Sequence, residues 1–278
     1  MDSTMVVGGV QVPRLVYGTA WKEDDTRRLT ALALHTGFRG IDTANQRRHY
    51  HESAVGEAIA ASGIPRSQLF LQTKFTFRPG QDHRLPYDPG APIAEQVRQS
   101  FKSSLVHLQV SFIDSYVLHG PMTHDGLTAA DWQAWHAMEE LHDSGQVRFL
   151  GISNVSHAQL RELFEKARIQ PRFVQNRCYA NRGWDRQVRA FCTANSITYQ
   201  GFSLLTANRA VLGHADTVRI ARKYGKTPAQ VVFRFALAVS MMALTGTTDP
   251  KHMSEDLSVI DFELAPDEVE RIEESAIA

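Results

Sequence analysis

The chain has 278 residues, 43% of them hydrophobic and 22% charged, enough to bury a sizeable core. Its 30 basic and 30 acidic residues cancel, which argues against an electrostatic role on nucleic acid or an anionic membrane. Two cysteines, Cys178 and Cys192, cannot make a disulfide framework, no apolar run reaches ~18 residues, and the start lacks a signal-peptide core, so a cytoplasmic location is expected.

In chain order, "VVGGVQVP" at 6–13 predicts a small hairpin, with Gly-Gly between alternating apolar residues. Strands are expected at 14–19, 38–42, 69–75, 112–119, 147–153, 172–176, 197–202 and 241–246. Each is short, and several are apolar on both faces, as buried parallel strands are. Amphipathic segments lie between them, at 24–36, 52–62, 91–107, 129–144, 156–167 and 185–195, with another at 250–258. "KTPAQVVFRFALAV" opens a helix with Thr227 as cap and Pro228 at its first position. The Pro- and Gly-rich stretch 78–92 follows the third strand and is expected to stand over one end of the sheet. Eight β-then-α units predict an α/β fold, a closed (β/α)₈ TIM barrel preceded by a hairpin. No linker divides it, so one domain over 1–278 is expected.

In such a barrel the active site collects at the C-terminal strand ends. Those ends carry Gly18 and Thr19, Asp42, Lys74, His119, Ser153 and Asn154, Gln175 and Asn176, Phe202 and Ser203, and Thr245. A lysine closing the apolar strand "FLQTKF" needs a partner, and Asp42 offers one. An ammonium beside a tyrosine would lower the phenol's pKa, as acid–base work on a carbonyl or alcohol requires. Tyr50, in "IDTANQRRHYHESAVGEAI" (41–59), is the one tyrosine on a suitably placed loop. Each residue alone has a plainer reading: a rim ion pair, a packed histidine, a surface tyrosine. Together they fall on one face of one predicted fold.

The chain resembles the aldo-keto reductases over nearly its whole length. The resemblance is carried by "GFRGIDTA" leading into "YHESAVGEAI", by "LFLQTKF", "IDSYVLHGP", "VRFLGISN", "FVQN" and "KTPAQVVFRFAL", and by "MSEDLSVIDFELAPDEVERI". It implies an NAD(P)H-dependent reductase of aldehydes or ketones, with a catalytic tetrad of Asp42, Tyr50, Lys74 and His119. By that resemblance Tyr50 gives the proton, Lys74 paired with Asp42 lowers its pKa, and His119 orients the carbonyl. In the commonest family pattern the tyrosine lies five residues after the aspartate. Here Arg47 holds that place, and Tyr50 lies eight after Asp42 on a longer loop, with His49 and His51 as alternatives or substrate contacts.

The resemblance also implies the cofactor contacts. Gly18, Thr19, Ala20 and Asp42 belong to the first two strand ends. Ser153, Asn154 and Gln175 would meet the carboxamide, with Phe202 stacked on the nicotinamide and Ser203 and Leu204 beside it. Thr245 and Gly246 close the last strand, Thr247 and Thr248 follow it, and His252, Glu255 and Asp256 come from the helix after it. By the same resemblance, relatives that prefer NADPH carry a lysine and an arginine where this chain has Gly246 and His252, so a weaker 2′-phosphate grip and use of NADH are expected. The chain ends soon after its last helix, at Ala278, so an open substrate mouth is expected, lined by Trp21, Tyr50, Phe77, His119, the 119–131 loop and Trp184. Small apolar or aromatic carbonyls are the expected substrates, with neither nucleic acid nor membrane as partner, and a monomer or weak homodimer as the expected assembly.

Two other readings compete. "HYH" at 49–51 and Asp249 suggest a metal-dependent hydrolase, but the fifth and sixth strand ends supply no histidine, so no metal is expected. A non-catalytic barrel that senses nicotinamide nucleotide would need no proton donor, which the four-residue set supplies. The remaining histidines read as surface or packing residues, Trp132 and Trp135 as helix packing, and both cysteines as buried small hydrophobes.

Overall fold

Gly8 and Gly9 both have positive φ (54° and 80°), the conformation that a two-residue hairpin turn demands and glycine adopts freely. They join β1 (Thr4–Val7) to β2 (Val10–Pro13) antiparallel, with Val7 opposite Val10. The computed structural model describes residues 2–275, so the chain end at Ala278 lies outside the described residues.

Eight further strands alternate with helices. β3 (Leu15–Gly18) leads to α1 (Thr26–Thr36), β4 (Gly40–Asp42) to α2 (Glu52–Ala61), and β5 (Phe70–Phe75) to α3 (Ile93–Leu108). Then come β6 (Ile113–Leu118), α4 (Ala129–Asp143), β7 (Val147–Ser153), α5 (His157–Lys166), β8 (Phe173–Arg177) and α6 (Arg186–Ala194). β9 (Thr198–Phe202) is followed by α7 (Arg209–Gly213), α8 (Ala215–Tyr224) and α9 (Pro228–Ala238). β10 (Met242–Thr245), α10 (Pro250–Leu257) and α11 (Pro266–Glu274) complete the order. The strands close into a barrel in sequence order, β10 lying beside β3, and the resolved ladders are parallel. The expected (β/α)₈ barrel with its hairpin is therefore what the chain forms. No described helix is long and apolar enough to cross a membrane.

The helix starts follow local chemistry. Thr128, Ser156 and Thr227 each accept a bond from the backbone three residues on, while Asp131, Gln159 and Gln230 bond back to the cap. Three helices were not among the expected segments: α7, α8 and α11. In α8 the buried positions Thr217, Ile220 and Ala221 keep helical spacing, and Gly225 ends it in the left-handed region.

The described residues cluster in two compact units. Tyr17–Val174 is one; the other runs from Gln175 onward and includes the chain before Tyr17. In the first, α2 packs on α3 so tightly that a Cβ at Gly56 would stand 2.0 Å from the His107 carbonyl oxygen. Trp135 is wholly buried there, and its indole N–H donates to the Ile169 carbonyl (3.2 Å). In the second, both cysteines are buried free thiols whose pKa burial pushes up to about 12. Trp184 corrects an expectation. It is fully buried rather than at the mouth, tilted against Phe235 with ring centres 4.9 Å apart and donating to the Ile272 carbonyl. Left-handed backbone at Gly183, Trp184 and Asp185 turns the ring inward.

Candidate active site

The site begins with the register of two strands. Asp42, last in β4, lies opposite Gln72 on β5. Side chains alternate along a strand, so Gln72 and Lys74 share one face. Both reach Asp42. Gln72 Nε2 donates to Asp42 Oδ1 (2.7 Å), and Lys74 Nζ donates to Oδ1 and Oδ2 (2.7 Å each) and to the Thr43 carbonyl (2.8 Å). The ammonium's three protons are thereby all placed. Lys74 is fully buried, and burial lowers its pKa, opposed by the Asp42 and Glu52 carboxylates. Gly18 and Ala20 are half-buried at the end of β3 and flank Thr19, whose N–H and Oγ1 both donate to the Asp42 carbonyl (3.0 Å each).

The long loop after β4 brings Tyr50 back to this pair. Tyr50 and His49 both donate backbone N–H to the Gln46 carbonyl (3.0 and 3.2 Å), folding the loop into a turn. Asn45 Nδ2 ties it to the Ser100 carbonyl (2.9 Å), and Gln46 Nε2 ties it to the Gly80 carbonyl (2.7 Å). The Trp21 N–H donates to the His49 carbonyl (2.7 Å), and the two rings stack with centres 3.8 Å apart. Behind the loop, Glu52 opens α2 as a buried carboxylate that accepts from Thr73 Oγ1 and meets His107 Nδ1 at 3.0 Å.

With the loop so held, Lys74 Nζ lies 5.2 Å from the centre of the Tyr50 ring, within cation–π range. The His119 ring meets Tyr50 edge-on, with centres 5.9 Å apart. His119 Nδ1 stands 2.7 Å from Thr76 Oγ1. Its pKa falls to about 3, first by burial, then by the positive charges of Lys74 and His49. The imidazole is therefore neutral at physiological pH. The Tyr50 phenol is shifted up, first by burial and then by Asp42. This differs from the lowering expected of a lysine neighbour. The charge of Lys74 is spent on Asp42, and desolvation of the phenolate dominates.

Asp42, Tyr50, Lys74 and His119 thus come together, all within Tyr17–Val174. So do Ser153 and Asn154. Asn154 is held in the left-handed region (φ 53°) while its Nδ2 donates to the His119 carbonyl (2.8 Å) and to Ser153 Oγ (3.1 Å). Trp21 is 69% exposed, whereas Phe77 is buried edge-on against Phe75.

The other cofactor candidates belong to the second unit. Gln175 Nε2 donates to Gln200 Oε1 (3.0 Å), Phe202 is half-buried, Ser203 is left-handed (φ 57°) and Leu204 is buried. Thr245 Oγ1 donates to the buried Asp256 carboxyl (2.6 Å), and Glu255 lies 3.7 Å from Lys251. Gly246, Thr248 and His252 are exposed, and Thr247 Oγ1 accepts from the Asp249 N–H (3.2 Å). Asp249 caps α10, its Oδ1 accepting from the Lys251 and His252 N–H groups (2.7 and 3.3 Å).

Sequence reasoning passed over Gln72, Thr43, Glu52 and Thr76. Gln72 and Thr76 carried a signal: in "QTKFT" Gln72, Lys74 and Thr76 put polar side chains on alternate positions, one face of the strand and its end. Among the described residues no group of three or more His, Cys, Asp or Glu side chains could hold a metal ion.

A lysine locked to a carboxylate, beside a phenol and a neutral imidazole at the strand ends of a parallel barrel, suits proton transfer to an oxygen. The Aldo/keto reductase family profile matches residues 4–209 and 208–277. The chain is 33% identical to an aldo-keto reductase of Mycobacterium avium over 275 residues, 98% of this chain and 86% of that protein. It is 29% identical to the methylglyoxal reductase DkgA of Escherichia coli, covering 95% of this chain and 90% of that one. The crystal structure of an aldo/keto reductase from Brucella melitensis superposes with a TM-score of 0.84 at 26% identity, covering 98% of both chains. The chain belongs to the aldo-keto reductase family, oxidoreductases that act on small carbonyl compounds.

Proposed function

We propose that the chain is one barrel domain that reduces aldehydes or ketones to alcohols with NADPH or NADH, Tyr50 acting as general acid. The observation that carries this reading is the sealed Lys74–Asp42 pair beneath the Tyr50 ring, with neutral His119 at the ring's edge. When bound, a reduced nicotinamide supplies hydride to the carbonyl carbon. Tyr50 gives its proton to the oxygen, and its raised pKa keeps that proton in place until charge develops there. Lys74 then faces the phenolate, and Asp42 and Thr43 keep the ammonium charged and positioned. His119, uncharged, orients the oxygen without competing for the proton.

The residues present suit such a cofactor. Asn154 is held in a left-handed backbone conformation beside His119, a local cost that recognition of a carboxamide by Asn154 and Ser153 explains. Gln175, Phe202, Ser203 and Leu204 are proposed as further nicotinamide contacts, and the 245–256 segment as the contact for the rest of the nucleotide. A 2′-phosphate at α10 would meet the Asp249 carboxylate, which already occupies the first N–H groups, and would find Gly246 and His252 for support. That favours use of NADH alongside NADPH. Small apolar or aromatic carbonyls in the cytoplasm are the proposed substrates, with exposed Trp21 at the mouth.

The test is loss of reduced-nicotinamide absorbance with a reactive aromatic aldehyde, run with each nucleotide. Turnover with both is expected, with a preference well under several hundred-fold, and Asp249→Asn should move that preference toward NADPH. Tyr50→Phe should lose roughly 10²- to 10⁴-fold in kcat. No turnover with either nucleotide, despite demonstrated binding, would replace the enzyme with a sensing barrel.

A further inference from the structure

We infer that Thr76 is a positioning residue that sets the tautomer of His119 and so decides which ring nitrogen is offered to the carbonyl oxygen; the inference rests on the proposed reductase reading. The placement follows from the ladder. Phe75 lies opposite Leu118, and the His119 N–H donates to the Phe75 carbonyl (2.9 Å), so Thr76 and His119 are neighbours at adjacent strand ends. Thr76 is 5% exposed, and its Oγ1 stands 2.7 Å from His119 Nδ1.

Two proton arrangements can make that bond. In one, the hydroxyl donates to the Nδ1 lone pair. Both groups are then satisfied, and the imidazole's hydrogen must be on Nε2, which becomes a donor. In the other, Nδ1–H donates to the hydroxyl oxygen. The hydroxyl proton then has no acceptor among the described residues, and Nε2 is left as a lone pair that would repel a carbonyl oxygen. A buried hydroxyl proton without an acceptor is costly, so the first arrangement prevails.

The threonine is held to this task. Its carbonyl accepts from Tyr87 Oη (2.8 Å) and Gln81 Nε2 (3.3 Å). Its methyl rests against Gly80, where a Cβ would come within 2.7 Å of Cγ2. With the methyl lodged there, the hydroxyl faces the imidazole. Gly80 also accepts the bond from Gln46 that pins the Tyr50 loop, so the proton donor and the imidazole are positioned from one short segment.

The experiment uses protein labelled with ¹⁵N in its histidine rings, with His119 assigned by a His119→Gln variant. Wild type should show His119 Nδ1 unprotonated and Nε2 protonated at neutral pH. Thr76→Val, which keeps the shape and removes the hydroxyl, should shift both nitrogen signals and lower kcat for the aldehyde roughly ten- to hundredfold at unchanged nucleotide KM. Thr76→Ser should restore both. A wild-type ring protonated on Nδ1 would overturn the inference, as would a folded Thr76→Val protein with unaltered ring signals and rate. If wild type turns over no aldehyde, the reductase reading falls, and the ring signals alone decide whether Thr76 sets the tautomer.

Discussion

Between about pH 4 and about pH 6 Asp256 holds a proton that the unfolded chain would release. Its carboxyl is 3% exposed with Thr245 as partner, and burial pushes its pKa from an ordinary 3.8 up to about 6. The sign follows directly: stability linked to this group is complete below about pH 3.8 and is lost as pH rises through about 6. Asp256→Asn keeps an acceptor for Thr245 and removes the charge. It should stabilise the fold at pH 7 by up to roughly 2–3 kcal/mol in linkage terms, read as a higher Tm, with the gain shrinking toward pH 4. An equal gain at both pH values would rule out charge as the cause. At this scale much of the site was readable. Asp42 ends β4, Lys74 is next to last in β5 and His119 follows β6 directly, so three charged or titratable residues stand at successive strand ends. Trp184 was not readable, because an aromatic in a Gly-containing loop looks the same at a mouth or in a core; the left-handed run at 183–185 decides. Nor was the direction of the Tyr50 shift. A neighbour's identity can be read from sequence, but the desolvation that outweighs it depends on how the loop packs.

Among the elements, β5 organises the site. Its inward positions Gln72 and Lys74 hold Asp42, Thr76 just beyond it meets His119, and the opposite-facing Thr73 reaches Glu52. Strand positions were legible to within a residue or two because short apolar runs bounded by helical patterns leave little choice. α7 was less legible, since it has five residues and buries only Val211, whereas α8 and α11 match the expected α5 and α10 in length and burial and nothing local sets them apart. The α2–α3 contact was not legible at all. A glycine inside a helix ordinarily costs stability relative to alanine by ~1 kcal/mol, so Gly56 reads as a flaw. Its packing reverses that sign. Gly56→Ala would drive a methyl into the His107 carbonyl and should lower stability by about 1–3 kcal/mol, read from urea unfolding. A stabilised variant would show that the two helices can part freely.

For the whole molecule, the barrel was written in the alternation of eight strand and helix patterns, and the family profile spans the same length. The grouping into two compact units was not, because contact density leaves no mark in composition. One consequence of the sealed Lys74 concerns the reactivity of its own nitrogen. Amine-reactive labels modify a lysine only when its nitrogen is uncharged and can be approached. Lys74 Nζ has no exposed surface and three bonded protons, while the Lys251 side chain is 79% exposed. Peptide mass spectrometry after brief labelling should find Lys251 tagged and Lys74 untouched. As denaturant rises, tagging of Lys74 should track the opening of Tyr17–Val174, making that nitrogen a built-in reporter of when this part of the chain comes apart.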